Sequence, residues 1–216
     1  MSVPSDNPGF ASAHLVVRGL ECRRGERRLF TDLAFSVGPG QIVWIRGANG
    51  QGKTTLLRTL AGLSAPEAGE IAWQDPMPQH RVVYLAHANA LKEDLTVVES
   101  LRFLLALAGE APEGGVLEHA LDRFGLTSRR HAPVRTLSQG QRRRVALARL
   151  ATQSTPSTWL LDEPFDALDA SGIETLNALL AAHARRGGSV VLTSHVPLTL
   201  VDPPPLVVQI DAPVAA

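Results

Sequence analysis

The sequence predicts an α/β fold in which a mixed sheet is flanked by helices and a helical lobe is inserted into the core. Short β-rich runs alternate with helical patterns along most of the 216 residues, an order typical of a sheet covered by helices. Between Val97 and Arg135 the strand signals stop and only helical patterns remain. Because strand signals resume at Thr158, we expect this stretch to be a lobe of one domain and not a second domain.

Each element is predicted from its own hydrophobic period and from the turn residues that bound it. Strands are expected near Leu15–Arg18, Leu33–Val37, Ile42–Arg46, Glu70–Trp73, Val82–Leu85, Thr158–Leu161, Ser189–Thr193 and Leu206–Ile210. Helices are expected at Lys53–Leu60, Val97–Ala108, Val116–Phe124, Gln139–Ala151 and Ser171–Ala184. The predicted domain covers 13–211, with a core of 13–95 and 136–211, a lobe at about 96–135, and flexible ends at 1–12 and 212–216.

Composition and charge narrow the class of protein. Lys+Arg and Asp+Glu number 21 each, whereas proteins that neutralise nucleic-acid phosphates normally carry a basic excess, so we expect no nucleic-acid partner. The one cysteine, Cys22, argues against a disulfide framework and a Cys-rich metal site. The first residues lack the pattern of a secretory signal, and no apolar run is long enough to span a membrane. We therefore expect a cytoplasmic chain without a membrane span.

A glycine-rich loop lies between the strand that ends at Arg46 and the helix that begins at Lys53. Its sequence, Gly47-Ala48-Asn49-Gly50-Gln51-Gly52-Lys53-Thr54, has the spacing G-x-x-x-x-G-K-[ST]. Glycines let backbone N–H groups surround phosphates at the positive end of a helix dipole. Lys53 brings a charge to the outer phosphates, and the Thr54 hydroxyl is placed for Mg²⁺. A plain glycine-rich turn is the alternative, but the spacing favours phosphate binding, which we assign to this loop and to Thr55.

An apolar strand ends in the carboxylates Asp162 and Glu163, which precede Pro164. Asp162 would be delivered to the carboxyl edge of the sheet, where the Mg²⁺ of a phosphate loop lies. Glu163 would point toward an attacking water, the position of a general base. The alternative is a solvated acidic turn. The glycine-rich loop in the same chain favours the metal-binding and general-base interpretation over this alternative.

A second helix start follows Leu137 in the run Ser138-Gln139-Gly140-Gln141, ahead of a basic helix. Ser138 is a good N-cap and Gly140 is expected to keep the first turn open, which makes a second anion site. Two such helix starts facing one nucleotide suggest that two chains share each nucleotide. By itself, the run would be interpreted as a well-capped helix with a charged face.

The order of these motifs, followed by Ala167-Leu168-Asp169 and His195, resembles the ATP-binding subunits of ABC transporters over roughly Leu15 to Ile210. The resemblance implies ATP as substrate with Mg²⁺, and Lys53, Glu163 and His195 as catalytic residues, with His195 at the γ-phosphate. It also implies that Ser138–Gln141 is the signature motif, which contacts ATP bound to the partner subunit. Asp169 would couple the two sites of the dimer.

The sequence departs from the family pattern at three positions. His87 stands where the family usually has a glutamine that touches Mg²⁺, and we expect His87 to be a weaker contact to the ion. The stretch where the family usually has an aromatic that stacks on adenine contains Arg24 and no aromatic, so we expect the guanidinium to stack on the base. Gln139 replaces a glycine that is common in the signature.

The sequence is also similar to the haem-exporter ATPases of bacterial cytochrome c maturation, at residues that are less specific than the motifs above. They include Cys22, Arg27–Phe30, Trp73 and Tyr84–His87. This resemblance implies a homodimer bound to small integral membrane permease subunits, peripheral on the cytoplasmic side of the inner membrane. It implies that ATP hydrolysis frees a haem-loaded chaperone. The seven histidines are scattered, so we expect no haem on this chain. The alternatives are the ATPase of another exporter, for lipid, drug or peptide, and a soluble ABC ATPase acting as a nucleotide-gated switch.

Overall fold

The computed structural model describes residues 14–73, 82–111, 114–199 and 202–210, and these residues form eight strands and five α-helices. The strands are β1 (Leu15–Arg24), β2 (Arg27–Val37), β3 (Ile42–Arg46), β4 (Ala68–Trp73), β5 (Val82–Leu85), β6 (Thr158–Leu161), β7 (Ser189–Thr193) and β8 (Leu206–Gln209). The helices are α1 (Lys53–Leu60), α2 (Val97–Leu107), α3 (Val116–Arg123), α4 (Gln139–Ala151) and α5 (Ala170–Arg185), with 3-10 turns at Thr127–Arg129 and Val134–Thr136. None of the helices in these ranges is long and apolar enough to cross a lipid bilayer.

The predicted α/β architecture is confirmed, and each predicted strand and helix is present. β1 and β2 are longer than predicted, because they continue as a hairpin to the pair Arg24 and Arg27 around a turn at Gly25. The alternation that predicts strands stops at these charged residues. They remain in the hairpin as exposed side chains, with Arg28 paired to Glu21 at 2.8 Å. The ends predicted to be flexible lie outside the described residues.

The described residues divide into two compact units. The first contains the residues up to Tyr84, Pro156–Asp162, and those from His183 onward. It holds an antiparallel sheet in the order β2-β1-β4 and a second sheet in the order β5-β6-β7-β3-β8. In the second sheet β3 pairs in parallel with β7 and β8, and β7 pairs in parallel with β6. Parallel pairing brings the carboxyl ends of β3, β6 and β7 to one edge.

The apolar face of α1 fixes the start of this helix against the five-stranded sheet. Leu56 and Leu57 are fully buried, and Leu60 is nearly so. They belong to one core cluster with Ile45 of β3 and Leu160 of β6. Burial of each leucine contributes about 1.5–3 kcal/mol, so the helix start is held firmly next to the end of β3.

A buried aromatic stack anchors β6. The His183 ring stacks on the Trp159 indole with centroids 3.7 Å apart and planes inclined by 10°. Nε2 of His183 lies 2.8 Å from the carbonyl O of Ser157, to which a neutral ring protonated on Nε2 donates. Burial lowers the pKa of His183 to about 4. A Cβ on Gly188 would lie 2.1 Å from Nε2, so this packing requires glycine.

The second unit contains Leu85–Thr155 and Glu163–Ala182, and therefore α2, α3, α4 and most of α5. Both α2 and α3 pack against α4. A capping box formed by Thr96 and Glu99 begins α2, and hydrogen bonds from the Thr96 side chain and backbone lower the pKa of Glu99. The stretch expected as a helical lobe, about 96–135, lies within this unit. Its limits as a separate lobe stay a prediction.

Candidate functional site

The glycine-rich loop between β3 and α1 surrounds the side chain of Lys53, which hydrogen-bonds to carbonyl groups of the loop. Lys53 is buried, and its Nζ donates to the carbonyl O of Gly47 at 2.8 Å and to that of Ala48 at 3.4 Å. Gly52 has a φ of 99°, and a Cβ there would lie 2.9 Å from the Cβ of Leu29. Both the backbone conformation and the available space therefore require glycine at the last position before the helix.

The middle of this loop, residues 48–50, is exposed to solvent. Ala48, Asn49 and Gly50 are exposed, whereas Gln51 is half-buried and accepts the backbone N–H of Ala48 on its Oε1. Thr55 is half-buried within the first turn of α1. An exposed glycine-rich loop directly before a helix N-terminus is an arrangement that binds phosphate.

The carboxylate of Asp162 joins the loop to β7. Asp162 is buried, and its two oxygens accept from the Thr54 hydroxyl at 2.8 Å and from the Thr193 hydroxyl at 2.9 Å. Burial and the Asp162 charge raise the pKa of the half-buried Tyr84. The structure thus brings together Thr54 and Asp162, two of the three residues predicted to contact a metal ion.

His195 follows β7 at the same edge of the sheet. The indole N–H of Trp44 donates to the carbonyl O of Ser194 at 3.2 Å, which ties the residue before His195 to β3. A cavity of about 250 Å³ is lined by His195 and Gly47, together with Trp44, Arg46, Ser194, Pro197 and Gln209. His195 and the first glycine of the phosphate loop therefore share one cavity.

Glu163 follows Asp162 directly in the chain and begins a segment of the second unit. It is buried, with 8% of its surface exposed, and has a φ of 46°. The left-handed region costs a non-glycine residue about 1–2 kcal/mol. Its backbone must therefore be held in this conformation by neighbouring groups.

His87 and Arg24 are both exposed. Nδ1 of His87 lies 3.5 Å from an Oδ of Asp166 in the second unit. Arg24 is the last residue of β1, at the hairpin turn of the first unit. The Mg²⁺ contact predicted for His87 and the adenine contact predicted for Arg24 stay predictions.

Ser138–Gln141, the run predicted to be a signature motif, forms a capping box at the start of α4. The Ser138 hydroxyl accepts the N–H of Gln141 at 3.2 Å, and Gln141 Oε1 accepts the N–H of Ser138 at 3.0 Å. Ser138 and Gln139 are exposed. The role expected for Gly140, to keep the first turn open, stays a prediction. The helix begins regularly at Gln139, and a Cβ on Gly140 would lie 2.6 Å from the carbonyl O of Ala167.

Asp169 caps the start of α5. One of its carboxylate oxygens accepts the N–H of Gly172 at 2.9 Å and the hydroxyl of Ser171 at 3.1 Å, and Arg144 donates to the same oxygen. The bond from the Gly172 backbone, followed by that from Arg144, lowers the pKa of Asp169. These contacts give Asp169 a local structural role. The coupling role predicted for it stays a prediction.

Sequence reasoning missed Thr193 and Trp44, which orient predicted site residues. A hydroxyl residue at the end of an apolar strand is a weak signal, but it could have pointed to Thr193. Trp44 is half-buried inside β3 and gives no such signal. Its contact with Ser194 depends on the pairing of β3 with β7.

Comparisons with known proteins agree with this geometry. The family model described as ABC transporter matches residues 30–166. The chain is 46% identical over 193 residues to the cytochrome c biogenesis ATP-binding export protein of Nitrosomonas europaea, which covers 86% of this chain and 90% of that protein. It is 48% identical over 184 residues to the Pseudomonas aeruginosa protein of that name, with 82% and 90% covered.

A solved ATP-binding subunit of an ABC transporter superposes with a TM-score of 0.77 at 25% identity, covering 91% of this chain and 85% of that one. The chain therefore belongs to the ABC transporter family, as an ATP-hydrolysing subunit of the cytochrome c biogenesis type.

Proposed function

We propose that this chain hydrolyses MgATP to drive haem export in cytochrome c biogenesis, by releasing a haem-loaded chaperone. It works as a homodimer bound to small integral membrane permease subunits, peripheral on the cytoplasmic side of the bacterial inner membrane. The observation that carries the proposal is the identity of nearly half to cytochrome c biogenesis export proteins over most of the chain. The contact of Thr54 with Asp162 beside a phosphate loop supports the ATPase part.

The residues at the loop fit a magnesium ion. The Thr54 hydroxyl and the Asp162 carboxylate are hard oxygen ligands, which Mg²⁺ prefers together with phosphate oxygens and water. Thr54 and Asp162 supply two oxygens of an octahedral ion, so phosphate oxygens and water would complete the site. When bound, the ion neutralises charge on the phosphates. We propose His87 as a weaker, additional contact to the ion.

Four residues act on the nucleotide and the attacking water in this proposal. Lys53 exchanges its bonds to the loop carbonyls for the outer phosphates and neutralises their developing charge. His195 donates a hydrogen bond to the γ-phosphate. Glu163 orients the water and accepts its proton, and Arg24 stacks on the adenine.

The signature serves the nucleotide of the partner subunit. Ser138 and Gln139 are exposed at the start of α4, where the helix dipole favours an anion, and Asp169 relays between the two sites. Ser138→Arg should abolish hydrolysis and leave the ATP affinity of the monomer within about twofold, because the bulk and charge act on the other subunit's nucleotide. An equal loss of monomer binding would contradict the trans arrangement.

The function is tested by purification of tagged Glu163→Gln from membranes with MgATP, and by ATP turnover of the purified chain. Loss of the base should lower turnover by about 100-fold or more and hold the closed dimer together with its partners. Mass spectrometry should then identify small polytopic proteins of cytochrome c maturation. Lys53→Ala, which cannot hold ATP, is the matched control and should not retain them.

Other outcomes of this test select the alternatives. Recovery of a different permease would keep the ATPase and reject haem export in favour of lipid, drug or peptide export. Equal turnover in the wild type and Glu163→Gln, without membrane partners, would favour a soluble nucleotide-gated switch.

A further inference from the structure

The guanidinium of Arg143 is the most deeply buried charged group of the second unit among the described residues, with 2% of its surface exposed. It lies on α4, five residues after Ser138. An arginine has five N–H donors in a rigid planar fork and cannot lose its charge in a protein. A buried guanidinium is therefore stable only where several acceptors surround it.

One side of the fork holds the residues that follow β6. Nη2 donates to the carbonyl O of Glu163 at 2.7 Å, and Nε donates to that of Pro164 at 3.4 Å. The first contact is short for an N–H···O bond and is made to a residue with a φ of 46°. Arg143 thus holds the peptide of Glu163 in a conformation that a glutamate rarely adopts.

The other side of the fork holds the segment 86–89. Nη1 donates to the carbonyl O of Ala86 at 3.1 Å, to that of His87 at 3.3 Å, and to Oδ1 of Asn89 at 3.0 Å. All these atoms belong to the second unit. One side chain therefore ties two segments together that lie more than seventy positions apart in the sequence.

We propose that Arg143 is a positioning residue for hydrolysis, which fixes the backbone of Glu163 and couples it to the segment 86–89. This inference rests on the proposed function, in which Glu163 orients the attacking water. Movement of His87 shifts the fork of Arg143, and the fork shifts the peptide that carries the Glu163 side chain. A displacement of about 1 Å at a catalytic group costs about 100-fold in rate.

The test compares Arg143→Gln and Arg143→Lys with the wild type in the full chain. The glutamine lacks the fork, and the lysine keeps the charge but presents a compact ammonium that cannot reach both segments. Lys53 and Thr54 lie in the other unit, so the Kd for ATP should stay within about twofold. We expect kcat per nucleotide-binding site to fall about 10- to 100-fold in Arg143→Gln, and less in Arg143→Lys.

The matched control is Arg142→Gln on the same helix. The guanidinium of Arg142 also lies in the second unit, but it does not contact Glu163 in these bonds. It donates to the carbonyls of Leu137 and Arg135 and to the carboxylate of Glu93. We expect its kcat within twofold of the wild type. An equal fall in both glutamine variants would overturn the inference, because any lost guanidinium on α4 would then suffice.

A double-variant experiment separates positioning from a purely structural role. In the Glu163→Gln background the carboxylate is absent, so Arg143→Gln should lower the residual turnover less than twofold. A further 10-fold loss there would overturn the inference, as would loss of ATP binding in both Arg143 variants. A wild type without ATP turnover would instead reject the proposed function. A wild type that turns over ATP at the same rate as Arg143→Gln would reject the inference alone.

Discussion

The hydrogen bond from Thr193 to Asp162 allows a sharp test of the site. Thr193→Val keeps the shape of the side chain and removes the hydroxyl that donates to Asp162 at 2.9 Å. Thr193 is fully buried, so water cannot replace the lost donor. Asp162 keeps its bond from Thr54 at 2.8 Å and loses the bond from Thr193 to its other oxygen.

A hydrogen bond to a charged acceptor contributes about 1.5–3 kcal/mol, and about 1.4 kcal/mol changes an equilibrium constant tenfold. If this energy orients the carboxylate toward the ion, the half-saturating Mg²⁺ concentration for ATP turnover should rise about tenfold in Thr193→Val. Binding of ATP without Mg²⁺ should change less than twofold, because the substitution leaves Lys53 and the phosphate loop in place for the phosphates.

The assay is a Mg²⁺ titration of turnover at fixed ATP, beside ATP binding in EDTA. Thr193→Ser keeps the hydroxyl and should stay close to the wild type. Thr59→Val removes another buried hydroxyl, which donates to the carbonyl O of Thr55 at 2.9 Å, and should leave the Mg²⁺ dependence unchanged. A Thr193→Val titration that overlays the wild type would refute the assigned role of this bond.

Three further outcomes are expected. Gly188→Ala should lower the free energy of unfolding by about 1–3 kcal/mol, because its Cβ would meet the His183 ring. Gly114→Ala, with open space around it, is the control. Equal midpoints of the two variants in urea unfolding would contradict the clash at Gly188. Burial holds the pKa of His183 at about 4, below the ordinary 6.5, so its contribution to stability is complete above pH 6.5 and should be lost as the pH falls toward 4, by about 3 kcal/mol. His183→Gln should lack this part of the pH dependence in urea unfolding, and parallel curves would count against it. Gly140→Ala should reduce turnover while retaining monomer ATP binding, because the Cβ would displace the carbonyl of Ala167; unchanged turnover would argue that this approach is not needed for catalysis.

Much of the fold follows from local patterns. The apolar runs of β3, β6 and β7 and the period of α1 and α4 are each contained within a few residues, and their predicted limits agree with the structure. The predicted phosphate loop and Asp162 lie at the ends of these elements, so strand order in an α/β sheet is enough to bring them to one edge.

The contacts that orient the site residues do not follow from such patterns. Thr193 meets Asp162, and Trp44 meets Ser194, only because β7 lies between β6 and β3 in parallel register. Arg143 has the sequence context of an exposed basic helix, yet it is buried. Its acceptors come from segments whose proximity depends on tertiary packing, which no local period encodes.

The shortness of the central strands has a consequence for how such chains vary in length. β6 has four residues and β7 has five, all of them buried. Each inserted or deleted residue would shift a strand end by about 3.3 Å and turn every following side chain to the opposite face. The bonds at Asp162 span 2.8 and 2.9 Å and could not survive such a step. Insertions and deletions among related chains should therefore avoid β6 and β7 and collect in the connecting loops.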